Sequence, residues 1–327
     1  MNNNDFNRSL PLVSIALATY NGGRFLREQL DSIYAQTWFN IEVVAGDDCS
    51  SDDTVVILEE YRQSHGLRYE VNDRNLGFVR NFEKIISQCR GEFIALADQD
   101  DVWLPEKIAR LLAGREGADL VYSDAFLVDE VGKEMPRTLV TTSGVRPVSG
   151  REFSYFVCNT CVTGCTILFH RGLLAYALPI PDGEPYHDWW LAVVASCHGG
   201  VRYLPERLVR YRQHGSNDTG ASVKTALTAR ICAHLRGEIS ESKRRYYRLL
   251  RDRAISYPTL QGRLNLDMRE LKFLDDIRQY SESLLDVRFH LTSFIQAFRH
   301  RNILFPAAGT AEKFVFVFSK LINKLVP

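Results

Sequence analysis

Glu92-Phe93-Ile94-Ala95-Leu96-Ala97-Asp98-Gln99-Asp100-Asp101-Val102-Trp103-Leu104-Pro105 is the stretch that decides how this chain is read. An apolar run of strand character ends in three carboxylates within four residues. Pro105, well tolerated at a first helical position, then opens a helical pattern with Leu104, Ile108, Leu111 and Leu112 on one face. The carboxylates are therefore expected at the C-terminal end of a buried strand, where open α/β sheets bind their ligands. Crowded carboxylates repel one another unless a cation joins them. Hard oxygen ligands of this kind suit Mg²⁺ or Mn²⁺. Taken alone, the motif reads equally well as a solvated acidic turn at a helix N-terminus.

The surrounding sequence alternates between the two periodicities. Residues 12–18, 41–45, 68–71, 92–97 and 119–123 are strand-like. Residues 22–34 carry Leu26, Leu30 and Ile33 at helical spacing, 53–62 follow the cap candidates Ser50 and Ser51, and Phe78, Phe82, Ile85, Ile86 and Cys89 mark a third helical face. Strands alternating with helices of this length imply right-handed βαβ units and a mainly parallel sheet. Beyond residue 123 the regularity weakens. Residues 126–128 and 131–134 flank an Asp129-Glu130 turn, 138–150 read as a polar loop, 162–169 and 207–213 as strands, and 187–196 as a helix.

Composition is that of a globular protein, 45% hydrophobic and 24% charged over 327 residues. Lys+Arg and Asp+Glu balance at 40 each, which argues against a dedicated nucleic-acid binder. The balance hides a division: residues 221–327 hold 19 basic against 10 acidic residues, leaving 21 against 30 in residues 1–220. No apolar run reaches the ~18–20 residues needed to span a bilayer. Seven cysteines are present, and the cluster Cys158, Cys161 and Cys165 lies in an apolar segment with no second Cys or His pair to complete a zinc site. Core thiols in a reducing cytosol are the expected reading.

Four further segments belong with the acidic cluster. Ala18-Thr19-Tyr20-Asn21-Gly22-Gly23 closes the first strand, and Tyr20 offers a ring on which a nucleobase can stack. Asp47-Asp48-Cys49-Ser50-Ser51-Asp52-Asp53 closes the second; Ser51, Asp52 and Asp53 suffice to cap the helix, leaving Asp47 and Asp48 over. Asn75-Leu76-Gly77-Phe78-Val79-Arg80-Asn81 enters the third helix, whose N-terminus with a nearby Arg suits a diphosphate. Tyr186-His187-Asp188-Trp189-Trp190 sets an acid beside two indoles, surroundings that raise a carboxylate pKa and fit it for base catalysis. Either Trp face suits an acceptor sugar ring, although both cannot point the same way on one helix. Downstream lies Tyr211-Arg212-Gln213-His214-Gly215, with His214 a metal-ligand candidate.

Together these segments resemble the family 2 glycosyltransferases, over about residues 11–215. The forms Asp98-Gln99-Asp100-Asp101-Val102-Trp103-Leu104-Pro105, His187-Asp188-Trp189-Trp190 and Tyr211-Arg212-Gln213-His214-Gly215 look most like the rhamnosyltransferase-like branch. The resemblance implies a GT-A type, Rossmann-like α/β fold. A mixed, mainly parallel sheet flanked by helices would fill a catalytic domain over residues 1–220, followed by a helical C-terminal region over 221–327. It implies an inverting, metal-dependent transferase that moves a sugar, best L-rhamnose from dTDP-L-rhamnose, to a glycan or lipid-linked glycan such as O-antigen. A UDP-hexose or UDP-N-acetylhexosamine donor is the alternative, and a non-catalytic nucleotide-sugar module the outlying one. By the same resemblance Thr19, Tyr20 and Asp48 would hold base and ribose, with Ala18, Asn21, Asn75, Gly77 and Asn81 around the nucleotide-sugar. Asp98 would face the donor ribose and sugar. Asp100 and His214 would bind Mg²⁺ or Mn²⁺, Arg80 and Arg212 would assist the diphosphate, Asp188 would be the base, and Trp189 and Trp190 would meet the acceptor. Asp101 is left to start the helix. Cys49 departs from the family's usual Gly, which puts the shape of that turn in question.

Lys243-Arg244-Arg245-Tyr246-Tyr247-Arg248-Leu249-Leu250-Arg251-Asp252-Arg253 is basic and helical. Phe314, Val317, Phe318, Leu321 and Leu325 form an apolar stripe among Lys313, Lys320 and Lys324. These fit peripheral contact with the inner face of the cell membrane by a cytoplasmic protein. They fit equally a helical subdomain with a solvated basic face.

Overall fold

The computed structural model describes residues 10–215, 241–285 and, within 295–304, all but residue 297. The chain divides into two compact units. One comprises Met1–Ser143, Pro147–Arg151 and Cys161–Ala221; the other comprises Gly144–Arg146, Glu152–Thr160 and Ser222–Pro327.

The first unit is built on a nine-stranded mixed sheet: β1 (Val13–Thr19), β2 (Ile41–Asp47), β3 (Arg68–Val71), β4 (Phe93–Ala97), β5 (Val102–Trp103), β6 (Leu120–Val128), β7 (Glu134–Thr138), β8 (Ile167–His170) and β9 (Val201–Arg212). The order is β3-β2-β1-β4-β8-β6-β9-β5, with β7 on β6. The strands β3, β2, β1 and β4 run parallel, β8 is antiparallel to β4 and β6, and β9 is parallel to β6. The path runs outward from β1 to β3 and then resumes on the other side of β1 at β4. That reversal opens a crevice at the strand C-termini, where ligands of such sheets bind.

Helices α1 (Leu26–Tyr34), α2 (Thr54–His65), α3 (Phe78–Gln88) and α4 (Lys107–Gly114) connect these strands, followed by α5 (Leu139–Ser143). In α3, Asn81, Phe82, Ile85 and Ile86 are buried at the i, i+4 spacing that puts them on one face. Each apolar side chain so buried stabilises by about 1.5–3 kcal/mol. Strands β1 and β4 are covered on both faces, which is why they read as unbroken apolar runs.

Three sequence expectations change. Strand β6 runs unbroken through Val128, and β7 begins only at Glu134. The expected strand over 162–169 is a 3₁₀ turn, Gly164–Thr166, followed by β8. Asp101 does not start α4, which begins at Lys107: it is fully buried and followed by the two-residue β5, antiparallel to β9.

In the second unit, α6 (Phe153–Cys158) accompanies helices that lie beyond α7 (Leu174–Ala177) and α8 (His187–Cys197) of the first unit: α9 (Glu241–Ser256), α10 (Gln261–Leu264), α11 (Met268–Leu285) and α12 (Arg301–Leu304). Helix α9 buries Tyr247, Leu250, Arg253 and Ala254, while Arg244, Arg245 and Arg248 are exposed. Tyr246 Oη donates to Cys158 O at 2.9 Å and Arg253 to Val157 O at 2.8 Å, so the basic helix is tied to α6 through its inner face. The apolar stripe from Phe314 to Leu325 lies outside the described residues. No helix among the described residues is long and apolar enough to cross a membrane.

Candidate active site

A cavity of about 750 Å³ occupies the crevice at the C-terminal ends of β1, β2 and β4. Its size suits a small organic ligand. Ala18, Thr19, Tyr20, Asn21, Asp48, Asn75, Gly77, Asn81, Asp98, Asp100, Asp188 and His214 all line it. The sequence holds these residues in six separate segments, and the fold brings them to one cavity.

The side of the cavity at the ends of β1 and β2 is held by a network of turns. Gln99 bridges the reversal point: Tyr20 N donates to its Oε1 at 2.8 Å, and its Nε2 donates to Tyr20 O at 3.0 Å. A Cβ on Gly22 would sit 2.1 Å from Gln99 Oε1, so any larger residue there would push the Gln99 side chain off its bonds to Tyr20. Tyr20 keeps its ring 49% exposed at the cavity. Asp47 turns inward, accepting from Thr19 Oγ1 at 2.9 Å and Ser50 N at 2.9 Å. Asp48 accepts from Leu76 N at 2.7 Å, Gly77 N at 2.8 Å and Asn72 Nδ2 at 2.9 Å, which latches the turn after β3. Asn81 spends its amide on Gly46 O and Asn72, so it supports the wall from behind. Cys49 keeps the left-handed turn with φ 69°, without the glycine that such a turn favours.

Asp100 and His214 face each other, with His214 Nε2 2.7 Å from Asp100 Oδ2. The His214 ring stacks on Phe25 at 5.2 Å. A hard carboxylate oxygen beside a borderline imidazole nitrogen, on the wall of a polar cavity, fits a divalent cation such as Mn²⁺. A second compact group, Asp98, Asp101 and Cys165, has ligand-type atoms within 4.8 Å of one another. It fits a hard cation less well. Burial, with Asp100 and Asp98 nearby, holds the Asp101 carboxyl well above the usual carboxylate range, and burial pushes the Cys165 thiol up as well. Lys107, fully buried, donates to Cys165 O at 2.6 Å and lies over the Trp103 ring at 3.2 Å. Burial pushes its ammonium down to about 7. We read these residues as the buried floor that supports Asp98 and Asp100.

Asp188 opens α8 and accepts from Gly164 N at 2.8 Å and Trp189 N at 2.6 Å. It keeps a partial opening onto the cavity, but the protein around it strips solvent from the carboxylate and pushes it up to about 6.

Four expected residues stand elsewhere. The Arg80 guanidinium is taken by Glu83, Asp182 and Ile180 O, away from the cavity wall. Arg212 is buried and clamps loops together, donating to Asp100 O at 2.9 Å, Glu130 O at 3.1 Å and Glu28. Trp189 and Trp190 are both buried, and neither lines the cavity; Trp190 Nε1 donates to Ala177 O at 2.8 Å. The reason is that α8 is apolar on nearly every side and sinks into the core as a whole.

The sequence reading also missed residues that line the cavity: Arg24, Gln99, Thr163, Gly164 and His187. Arg24 is the one Arg or Lys among the described residues on that wall, and it pairs with Glu130 at 3.2 Å. Its position within the Asn-Gly-Gly-Arg turn after β1 was the available signal.

Comparison with known proteins agrees with this architecture. Residues 14–176 match the family model described as glycosyl transferase family 2. An uncharacterised protein of Mycobacterium tuberculosis is 28% identical over 217 residues, 62% of this chain and 59% of that protein. The chain thus spans about three fifths of the length of such mycobacterial relatives. The dTDP-rhamnosyl transferase RfbG of Shigella flexneri is 28% identical over 224 residues, covering 63% of this chain and 74% of that protein. Among solved structures, S. aureus TarS 1-349 in complex with UDP superposes with a TM-score of 0.55 at 16% identity, covering 96% of this chain and 88% of that one. The mannosyltransferase PcManGT from Pyrobaculum calidifontis, in complex with GDP-Man and Mn²⁺, gives 0.52 at 16% identity over 98% and 88%. These two likenesses establish the fold as GT-A type. With the family match running from β1 through the acidic loop to the turn before β8 and beyond, the chain belongs to glycosyl transferase family 2.

Proposed function

We propose that this chain transfers a sugar from a nucleotide-diphosphate donor to a hydroxyl of a growing cell-surface glycan, inverting the anomeric centre, with dTDP-L-rhamnose as the donor. The carrying observation is Asp188, a carboxylate raised to about 6 that shares one cavity with Asp98, Asp100 and His214. A base poised near neutrality is what deprotonation of a sugar hydroxyl at its moment of attack requires. The rhamnosyl assignment draws support from the likeness to RfbG.

In this reading Tyr20 stacks on the base and Asp98 meets the ribose and sugar. Asp188 takes the acceptor proton while the acceptor oxygen bonds to the anomeric carbon and the bond to the diphosphate breaks. Asp100 and His214 would hold a divalent cation, which when bound neutralises charge on the departing diphosphate. Arg24 adds a second positive group on the same wall, and Arg212 holds the Asp100 backbone in place. Peripheral contact of the helical region with an anionic membrane surface belongs to the same proposal; the exposed Arg244, Arg245 and Arg248 support it.

The test is a nucleotide-sugar panel with Mn²⁺ or Mg²⁺, scoring binding and slow donor hydrolysis. The expected result is preference for dTDP-L-rhamnose. Preference for a UDP-hexose or UDP-N-acetylhexosamine would reassign the donor, and absence of binding to any member would sink the transferase reading.

A further inference from the structure

Of the described residues that line the cavity, His187 alone has buried side-chain polar atoms without a hydrogen-bond partner. It is 7% exposed, and neither Nδ1 nor Nε2 has a hydrogen-bond partner among the described residues. Its ring stacks on Phe82 at 4.0 Å and meets Phe78 edge-on at 6.1 Å, so its plane is fixed. Opposite it, a Cβ on Gly164 would lie 3.2 Å from His187 Nε2 and 3.7 Å from Asp188 Oδ2. Gly164 has no left-handed φ to explain its identity; a Cβ there would crowd His187 Nε2 and narrow the approach to Asp188. Burial pushes the imidazole down to about 3, and the neutral ring carries one donor and one acceptor.

We propose that His187 is a specificity-determining residue that hydrogen-bonds a hydroxyl of the transferred sugar beside Asp188. The inference rests on the transferase reading above. An orphaned, oriented imidazole in a dry wall rewards a ligand that supplies its missing partner and penalises one that does not. Sites built to bind a hydroxyl in this way discriminate strongly against analogues lacking it. The apolar rings of Phe78 and Phe82 pack against His187 and leave its nitrogens as the polar atoms between them, so it selects by hydroxyl position.

The experiment compares the full chain with His187→Phe, which keeps an aromatic ring against Phe82, and His187→Asn, which keeps one donor and one acceptor. Thermal unfolding verifies the fold, and His187→Leu replaces the Phe variant if the larger ring is not accommodated. For the sugar nucleotide that the wild type accepts, kcat/KM should fall about 10–100-fold in the Phe variant and partly recover in the Asn variant. Affinity for the free nucleoside diphosphate should stay unchanged. With singly deoxygenated donors, one should be poor for the wild type yet no worse than the parent sugar for the Phe variant, which names the hydroxyl. A wild-type-like kcat/KM in the Phe variant, an equal loss of nucleoside diphosphate affinity, or no such donor would each overturn the proposal while leaving the transferase reading intact. A wild type that turns over no nucleotide sugar would instead remove the reading beneath it.

Discussion

Asp100 and His214 stand 114 residues apart in the chain, yet His214 Nε2 lies 2.7 Å from Asp100 Oδ2. The pairing follows from β5 lying antiparallel to β9, which returns the chain to the acidic loop, and from Arg212, which grips Asp100 O. Phe25 backs the imidazole. If the pair holds a divalent cation, Asp100→Ala and His214→Ala should each abolish the Mn²⁺ dependence of nucleoside diphosphate binding. Asp100→Ala should also abolish turnover. Calorimetric titration with and without Mn²⁺ decides it, and an unchanged metal dependence in His214→Ala would remove that residue from the ligand set.

The base assignment carries a pH signature. Asp188 must be ionised to accept a proton, so kcat/KM should rise with pH about a midpoint near 6. Asp188→Asn should cost about 10²–10⁴-fold in turnover and spare donor binding. A normal rate in that variant would remove Asp188 from the mechanism.

The same carboxylate links pH to stability. Its folded pKa, about 6, exceeds its ordinary value of 3.8. Between these values the folded state keeps a proton that the unfolded state has released, so stability falls as pH rises through the window. At about 1.4 kcal/mol per unit this amounts to roughly 3 kcal/mol, an upper bound given the partial opening to the cavity. His187, held neutral in the fold, contributes in the opposite sense over the same range, so between pH 4.5 and 6.5 the urea midpoint should rise more, or fall less, in Asp188→Asn than in the parent.

The alternation of β1 to β4 with α1 to α3 was legible because doubly covered strands read as continuous apolar runs and the helices show one apolar face. Most of the converging motifs were legible for a related reason: they follow strand ends, whereas Asp188 opens α8 after α7 and a loop. What was not legible depends on partners far along the chain. Arg80 and Arg212 looked like open cations, and only the fold reveals Asp182, 102 residues away, and Glu28, 184 away. Asp101 looked like a helix start because nothing local shows that Cys165 and Lys107 enclose it. For Trp189 and Trp190 the signal was present and underweighted. Leu191 to Ala195 continue an apolar surface around the whole of α8, the pattern of a core helix.

Arg24 gives a prediction of a different kind, because it is a cavity cation held by a surface partner. Its side chain is 62% exposed and Glu130, opposite it, 48%. If Arg24 meets the diphosphate, Arg24→Ala should weaken nucleoside diphosphate binding about tenfold, with a smaller effect at high salt. Glu130→Ala, by releasing the guanidinium, should move affinity the other way. Nucleoside diphosphate affinity unchanged from the parent in both variants would place Arg24 outside the donor site.

Cys49 holds φ at 69° in an exposed turn whose neighbours are bonded to one another: Ser50 Oγ donates to Asp47 and accepts from Asn21 N at 2.8 Å. The left-handed backbone costs a non-glycine residue about 1–2 kcal/mol. Glycine removes that cost but loses about 0.5–1 kcal/mol through the greater freedom of the unfolded chain. The first effect exceeds the second, so Cys49→Gly should raise the urea midpoint modestly at constant m-value. Cys49→Val, β-branched and less tolerant of positive φ, should lower it. If the two variants moved the midpoint in the same direction, the turn at Cys49 would not be held left-handed against a cost by the network joining Asp47, Ser50 and Asn21.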